Sequence, residues 1–273
     1  MFRHQKHSLE DLLTLMARLR EPGTGCPWDI QQDYRSITPS TIEEAYEVVD
    51  AIEKADFHHL KEELGDLLFQ VIFYSQLGSE DGHFSFTEIV SDLVSKLVRR
   101  HPHVFPDGTL NSRIDPEQER DENTIKANWE QVKKTERAEK GKSGVLDDVP
   151  LVLPALSRAA KLQKRAAGVG FDWPSLVGVL DKVEEEIDEL KEAIELGDKD
   201  AITSELGDVF FGLVNVSRHL KLDPETVLRG GNTKFERRFQ FIETQLRESE
   251  LNFEDVSLEE LDQYWDRAKE SGL

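Results

Sequence analysis

The stretch from residue 184 to residue 216, EEEIDELKEAIELGDKDAITSELGDVFFGLVNV, is rich in acidic residues, and four of them stand out by their spacing. They form two pairs, Glu186 with Glu189 and Glu205 with Asp208. Residues three positions apart lie on the same face of an α-helix. If the two helices pack together, the four carboxylates converge, and this is strongly destabilising unless a cation lies between them. A divalent cation is the obvious candidate.

The same acidic pattern occurs earlier in the chain, 142 residues upstream at every position (44 and 186, for example). Its members are Glu44, Glu47, Glu63 and Asp66. Residues 96–100 also match residues 234–238, and the segment beginning at Trp129 matches the one beginning at Trp265. The chain is therefore interpreted as a tandem duplication, with small insertions and deletions in its loops.

Apolar residues recur at helical spacing along most of the chain. Residues 9–19, 42–52 and 176–194 each carry an amphipathic stripe, and Ser8 is a good N-cap for the first of them. No sustained alternation of apolar and polar residues predicts a strand. We therefore predict an all-α fold made of two repeated units of four-helix type.

Two breaks in the pattern suggest how the units are divided. Residues 106–123 are polar and rich in turn formers, and we predict a mobile loop there, inside the first unit. A second break follows Gly141. We place the boundary at this break, so that the units are residues 1–142 and residues 143–273.

Composition limits the class of protein. The chain has 273 residues, enough for one large domain or two modest ones, and a net charge of −21. This charge argues against binding to nucleic acids or to anionic membranes. The single cysteine, Cys26, excludes an intramolecular disulfide and a thiolate metal cluster. With no long apolar run and no secretion signal, we expect a soluble cytoplasmic protein.

The second helix of each acidic set is unusually apolar. Asp66 lies in the run 64–77 and Asp208 in the run 206–216, and both runs are apolar nearly all round. Such helices are expected at the centre of a bundle or in an oligomer interface. An ionised aspartate is rarely buried unless it is paired or bound to a metal. A metal is therefore favoured over a buried arginine partner, although helical periodicity places Glu44 opposite the apolar stripe of its own helix.

These apolar runs also indicate self-association. Each unit has too few helices to cover residues 64–77 and 206–216 on every side, so we expect a homodimer in which these helices pack against their symmetry mates. Gly65 and Gly207 precede the two aspartates and are expected to permit close approach of helices.

The ligand type narrows the choice of metal. Every candidate ligand is a carboxylate, and such oxygen sites suit Mg²⁺, Mn²⁺ or Ca²⁺ rather than zinc or copper. Helical di-iron proteins use Glu-x-x-His pairs on two helices, and neither acidic set has a histidine at that position. We therefore expect Mg²⁺, with Mn²⁺ able to replace it, and rank iron well below both.

Magnesium held by a few carboxylates is typical of phosphoryl and nucleotidyl chemistry, which also needs cations for phosphate. Lys234 and Arg238 share a helix face, and Lys182 lies one turn before Glu186. Trp265 is available to stack on a base. No Walker A loop or Gly-x-Gly-x-x-Gly fingerprint indicates a P-loop or Rossmann enzyme.

These motifs resemble a known family. Glu-Glu-x-x-Glu (43–47 and 185–189) followed by Glu-x-Gly-Asp (63–66 and 205–208) resembles the all-α nucleoside triphosphate pyrophosphohydrolases. With the motifs CPWD (26–29), RHPHVF (100–105) and VGFDW (169–173), the duplicated chain resembles the two-domain MazG proteins over nearly its whole length.

The resemblance implies hydrolysis of a nucleoside triphosphate between the α and β phosphates, as in house-cleaning of nucleotide pools. It implies that the C-terminal unit is catalytic, with Glu185 behind the metal ligands or as a base that orients water. The implied metal ligands, of which the first two also count as catalytic, are Glu186, Glu189, Glu205 and Asp208. The implied substrate-binding residues are Lys182, Lys234, Arg238 and Trp265.

The role of the first unit stays open. Ser40 stands where the repeat places Lys182, so one candidate phosphate contact is missing, but the acidic set is intact. Residual metal binding or a second nucleotide site is compatible with this pattern. Two other classes remain alternatives for the whole chain, namely a non-catalytic nucleotide-binding regulatory scaffold and a carboxylate-bridged di-iron protein.

Overall fold

The computed structural model describes residues 6–114, residues 144–273 and six single residues between them (125, 129, 132, 135, 136 and 141). All regular structure in these ranges is helical, which confirms the all-α prediction. Residues 106–114 form turns, whereas residues 115–123 of the predicted loop lie outside the described residues. Among the described helices, none is long and apolar enough to cross a membrane.

The contacts divide the chain into two units, Met1–Lys133 (unit 1) and Lys134–Leu273 (unit 2). The boundary at 142/143 stays a prediction, since residues 142 and 143 are outside the described ranges. The helices of unit 1 are α1 Leu9–Leu19, α2 Pro27–Gln31, α3 Thr38–Glu53, α4 Phe57–Glu80 and α5 Phe86–Arg100. The helices of unit 2 are α6 Ala155–Ala167, α7 Leu176–Leu196, α8 Lys199–His219, α9 Pro224–Glu248 and α10 Leu258–Glu270, with a 3₁₀ turn at Phe253–Asp255.

One helical hairpin dominates each unit, α3 with α4 and α7 with α8. Both hairpins turn in the same way. The residue before the next N-cap has a left-handed backbone in each, with φ of 54° at Ala55 and 70° at Gly197. An aspartate then caps the next helix, since Asp56 and Asp198 each accept two backbone N–H groups through Oδ1. These short turns place each pair of acidic helices side by side.

The core of unit 1 lies where α1 crosses α4. Its fully enclosed members are Met16, Ile37, Ile72, Phe73 and Leu77. Ser8 caps α1 as predicted, accepting the backbone N–H of Asp11 at 3.2 Å. Arg20, at the end of the same helix, pairs with Glu80 at 2.7 Å and donates to the carbonyl oxygen of Asp29, so it ties α1, α2 and α4 together.

The core of unit 2 is built around the α7–α8 hairpin. Its buried apolar members are Val179, Val183, Ala193, Val214, Ile242, Leu246 and Ala268. The two helices approach closely at Gly212, where an added Cβ would lie 2.9 Å from Cγ2 of Val183. Within one chain, Gly65 and Gly207 do not permit a close approach, because a Cβ at either position would meet nothing within 4 Å, and their role toward a second copy stays a prediction. Both glycines lie on open faces of their helices.

The buried side of the first hairpin helix also differs from the predicted one. In α3 the apolar residues Ile42 and Ile52 are 53% and 57% exposed. In α7 the buried face includes Val179, Val183 and Glu186, so an acidic residue lies on the packed side. Periodicity locates an apolar stripe but does not show whether the same chain covers it, and here much of the stripe is uncovered.

Candidate metal centre

Each helical hairpin brings three of its four predicted acidic residues into one cluster. In unit 2, single oxygens of Glu186, Glu205 and Asp208 all lie within 4.8 Å of one another. In unit 1 the equivalent residues, Glu44, Glu63 and Asp66, meet the same limit. The first member comes from the first helix of the hairpin and the other two from one face of the second.

The fourth predicted members, Glu189 and Glu47, lie at the edge of these clusters and are exposed. Desolvation raises the pKa of Glu189 above its ordinary value, Lys182 opposes this shift, and nearby carboxylates including Glu205 reinforce it. Desolvation likewise raises the pKa of Glu63, and the adjacent carboxyl of Glu47 raises it further. Both edge residues therefore lie close enough to their clusters to interact with them electrostatically.

Burial within the clusters is the reverse of the expectation. Asp66 and Asp208, expected inside apolar helices, are exposed in the single chain. The enclosed members are Glu63 and Glu186, with 6% and 8% of their surfaces exposed. The apolar runs around the aspartates have one packed and one open side, and the aspartates do not lie on the packed side.

Unit 2 carries a built-in cation at its cluster. The ammonium of Lys182 lies 2.7 Å from Oε1 of Glu186 and 3.0 Å from Oε1 of Glu185. These two contacts, Glu186 first, raise the pKa of Lys182, so the side chain is a fixed positive charge. Glu185 itself is exposed.

Unit 1 has no lysine at this position, because Ser40 replaces it. Among the described residues, the basic side chain paired with its cluster is His59, whose Nδ1 lies 3.0 Å from Oε1 of Glu63. The pKa of Glu44 is raised mainly by its burial, and Asp66 and other neighbouring carboxylates raise it further. Sequence reasoning missed His59, although its position four residues before Glu63 was a usable signal.

Three of the four predicted substrate residues of unit 2, Lys234, Arg238 and Trp265, lie apart from the contacts of the acidic cluster. The guanidinium carbon of Arg238 lies 5.3 Å from the centre of the Trp265 ring, and its Nε donates to the carbonyl oxygen of Leu273 at 2.8 Å. Lys234 is exposed. Within the part of the chain that the structure describes, no hydrogen bond or ion pair joins these three side chains to the acidic cluster.

The donor set of both clusters fits a hard divalent cation. Three carboxylates from two helices supply oxygen atoms, and Mg²⁺ and Mn²⁺ favour such ligands. Desolvation first, and then neighbouring carboxylates of the same unit, raise the pKa of Glu44 and Glu63 in unit 1 and of Glu189 in unit 2. A bound cation would relieve both costs.

Comparison with known proteins agrees with this site. The family described as MazG nucleotide pyrophosphohydrolase domain matches residues 32–105 and 177–241, one segment around each acidic hairpin. A nucleoside triphosphate pyrophosphohydrolase of Escherichia coli is 45% identical over 96% of this chain and 97% of its own length. A nucleoside triphosphate pyrophosphohydrolase/pyrophosphatase MazG of Thermotoga maritima is 41% identical over 95% of each chain. The chain therefore belongs to the MazG family and is a nucleotide pyrophosphohydrolase.

Proposed function

We propose that this enzyme hydrolyses nucleoside triphosphates between the α and β phosphates, releasing a nucleoside monophosphate and pyrophosphate, and that unit 2 is catalytic. The supporting observation is the cluster of Glu186, Glu205 and Asp208 with the ammonium of Lys182 beside it. A triphosphate needs both features, since metal ligands and a fixed cation together balance its charge.

We further propose that Glu186, Glu205 and Asp208, with Glu189 at the edge, hold Mg²⁺, and that Mn²⁺ can replace it. When bound, the cation would offset charge on the triphosphate and lower the pKa of a coordinated water. The clustered oxygens within 4.8 Å and the absence of sulfur or nitrogen donors among these four residues support this choice.

The side chains of unit 2 divide the remaining work. Lys182 and Arg238 would stabilise the negative charge that develops on the pyrophosphate leaving group, and Lys234 would add a further positive charge nearby. Trp265 would stack on the base, with Arg238 held against its ring at 5.3 Å. Glu185 is exposed beside Lys182, and it would orient a water and accept its proton.

We also propose a homodimer. Leu64, Leu68 and Val71 form an exposed apolar stripe on α4, between 39% and 50% exposed. Leu206, Phe210 and Leu213 form the equivalent stripe on α8, between 41% and 54% exposed. A second copy of the chain, packed on these stripes, would remove both from water. A cytoplasmic location stays a prediction from the sequence.

The alternatives have less support. Membership in a family of enzymes speaks against a purely regulatory scaffold. For the di-iron hypothesis, no histidine belongs to either carboxylate cluster in the described residues, and nothing in the structure favours iron.

Release of pyrophosphate from a panel of ribo- and deoxyribonucleoside triphosphates with Mg²⁺ tests the proposal. Glu189→Gln should lower kcat/KM by about 100-fold or more, because it removes charge at the catalytic cluster. Its matched control, Glu47→Gln, should keep most of the activity. The opposite result would place catalysis in unit 1, and release of orthophosphate instead of pyrophosphate would place cleavage at another bond.

A further inference from the structure

The two acidic clusters share their ligands but differ in how their charge is balanced. In unit 1, Oε2 of Glu44 and Oε2 of Glu63 are buried and have no hydrogen-bond partner. Glu63 is also the most enclosed carboxylate of the cluster, with 6% of its surface exposed. Among the described residues of the unit 2 cluster, no carboxylate oxygen is left buried in this way.

Buried polar atoms in native proteins nearly always have a partner, and an unpaired buried carboxylate oxygen is especially costly. Glu63 already uses Oε1 for His59, at 3.0 Å, so its second oxygen remains available to a ligand. The oxygens that Glu44 and Asp66 offer to the cluster lie within 4.8 Å of the one that Glu63 offers. A small cation that binds all three would supply the missing partner.

In unit 2, by contrast, an incoming cation meets a competitor. Lys182 already pairs with Glu186 at 2.7 Å, and its ammonium would lie close to any metal that this carboxylate binds. Two positive charges at such a distance repel, so the lysine must move before a metal binds tightly. A nucleoside triphosphate gives the lysine a new partner, which couples metal binding to substrate binding.

Among the described residues of unit 1, no lysine ammonium pairs with a carboxylate of the cluster. Ser40 occupies the position of Lys182 and carries no charge. The imidazole of His59 contacts Oε1 of Glu63 from α4, with its side chain 42% exposed, and leaves Oε2 of Glu63 without a hydrogen-bond partner.

We propose that Glu44, Glu63 and Asp66 form a second divalent-cation site, and that without nucleotide this site binds Mn²⁺ or Mg²⁺ more tightly than the catalytic cluster does. The cation in unit 1 bridges α3 and α4 and is structural, while the cation of unit 2 arrives with the nucleotide. The inference rests on the proposed function in one respect, namely that unit 2 is the catalytic unit.

A titration of the full-length, metal-stripped protein with Mn²⁺, at pH 8 and without nucleotide, tests this proposal. Electron paramagnetic resonance measures the Mn²⁺ that stays free. We expect two classes of site per chain. Glu63→Gln should remove the tighter class, and its repeat-equivalent Glu205→Gln should remove the weaker one. Circular dichroism checks that both variants remain helical.

Exchanging the residue that distinguishes the units gives a second test. Lys182→Ser should tighten the weaker class by at least about tenfold, and Ser40→Lys, which places an ammonium one turn before Glu44, should weaken the tighter class by a similar factor. The inference would be overturned if Glu205→Gln, and not Glu63→Gln, lost the tightest Mn²⁺ binding. It would also be overturned if the protein had a single class of Mn²⁺ site whose affinity Ser40→Lys did not change. Pyrophosphate release by Glu63→Gln distinguishes failure of this inference from failure of the proposed function. The variant changes only unit 1, so its activity reports on catalysis by unit 2.

Discussion

The hairpin turn of unit 1 contains a strained residue that the repeat itself shows how to relieve. Ala55 has φ of 54°, where unit 2 has Gly197 at 70°. An L-residue in this left-handed region costs about 1 to 2 kcal/mol, whereas glycine is free of that cost but loses about 0.5 to 1 kcal/mol more entropy on folding. The difference favours Ala55→Gly by about 0.8 kcal/mol, and Ala55 is exposed, so no packing is lost.

Thermal unfolding followed by circular dichroism measures the effect. For a unit of this size, the gain corresponds to a rise of about 3 °C in the Tm of the unit that contains the turn. Gly197→Ala is the matched control and should lower the free energy of unfolding of unit 2 by a similar amount, since a Cβ there meets nothing within 4 Å and only the backbone is strained. A destabilised Ala55→Gly protein together with an unaffected Gly197→Ala protein would refute the reasoning.

Two further predictions concern the open helix faces and the Arg20 contact. Leu68→Glu and Phe210→Glu occupy equivalent positions of the two apolar stripes, and the double variant should halve the mass that light scattering reports; an unchanged mass would exclude these faces as the dimer interface. The hydrogen bond from Arg20 lowers the pKa of Glu80, so their pairing stabilises the fold above the ordinary glutamate pKa and is lost as pH falls through the lowered value. Between about pH 5 and pH 3, the wild-type protein should therefore lose more free energy of unfolding, measured in urea, than Glu80→Gln does. Because solvent screens the pair, the difference should be at most about 1 kcal/mol. Equal losses in the two proteins would contradict this.

Features of the site that depend on local geometry were predictable from the sequence. The i, i+3 spacing fixes which carboxylates share a helix face, and the repeat shows that the arrangement occurs twice. The convergence of Glu186, Glu205 and Asp208 follows from these two facts and a short turn between the helices. The Ser8 cap was predictable for the same reason, since a cap involves only neighbouring residues.

Features that depend on what covers a helix were not predictable. An apolar run such as 206–216 does not reveal which of its sides the same chain packs, so the exposure of Asp208 was missed. The glycine that permits close packing within the chain was likewise not identified, because Gly207 and Gly212 look alike in sequence and, of these two, only Gly212 faces Val183. Tertiary contacts determine both outcomes, and no local pattern encodes them.

The duplication separates the effect of backbone geometry from the effect of charge. Both units hold three carboxylates at the same spacing, so the fold alone does not distinguish a catalytic site from a structural one. The difference is in the basic side chains, Lys182 on the first hairpin helix of unit 2 and His59 on the second hairpin helix of unit 1. On the proposals above, Lys182 would offset the charge of its cluster without metal and turn to phosphate when substrate binds. Ser40 provides no such charge in unit 1, where a bound cation would balance the cluster instead.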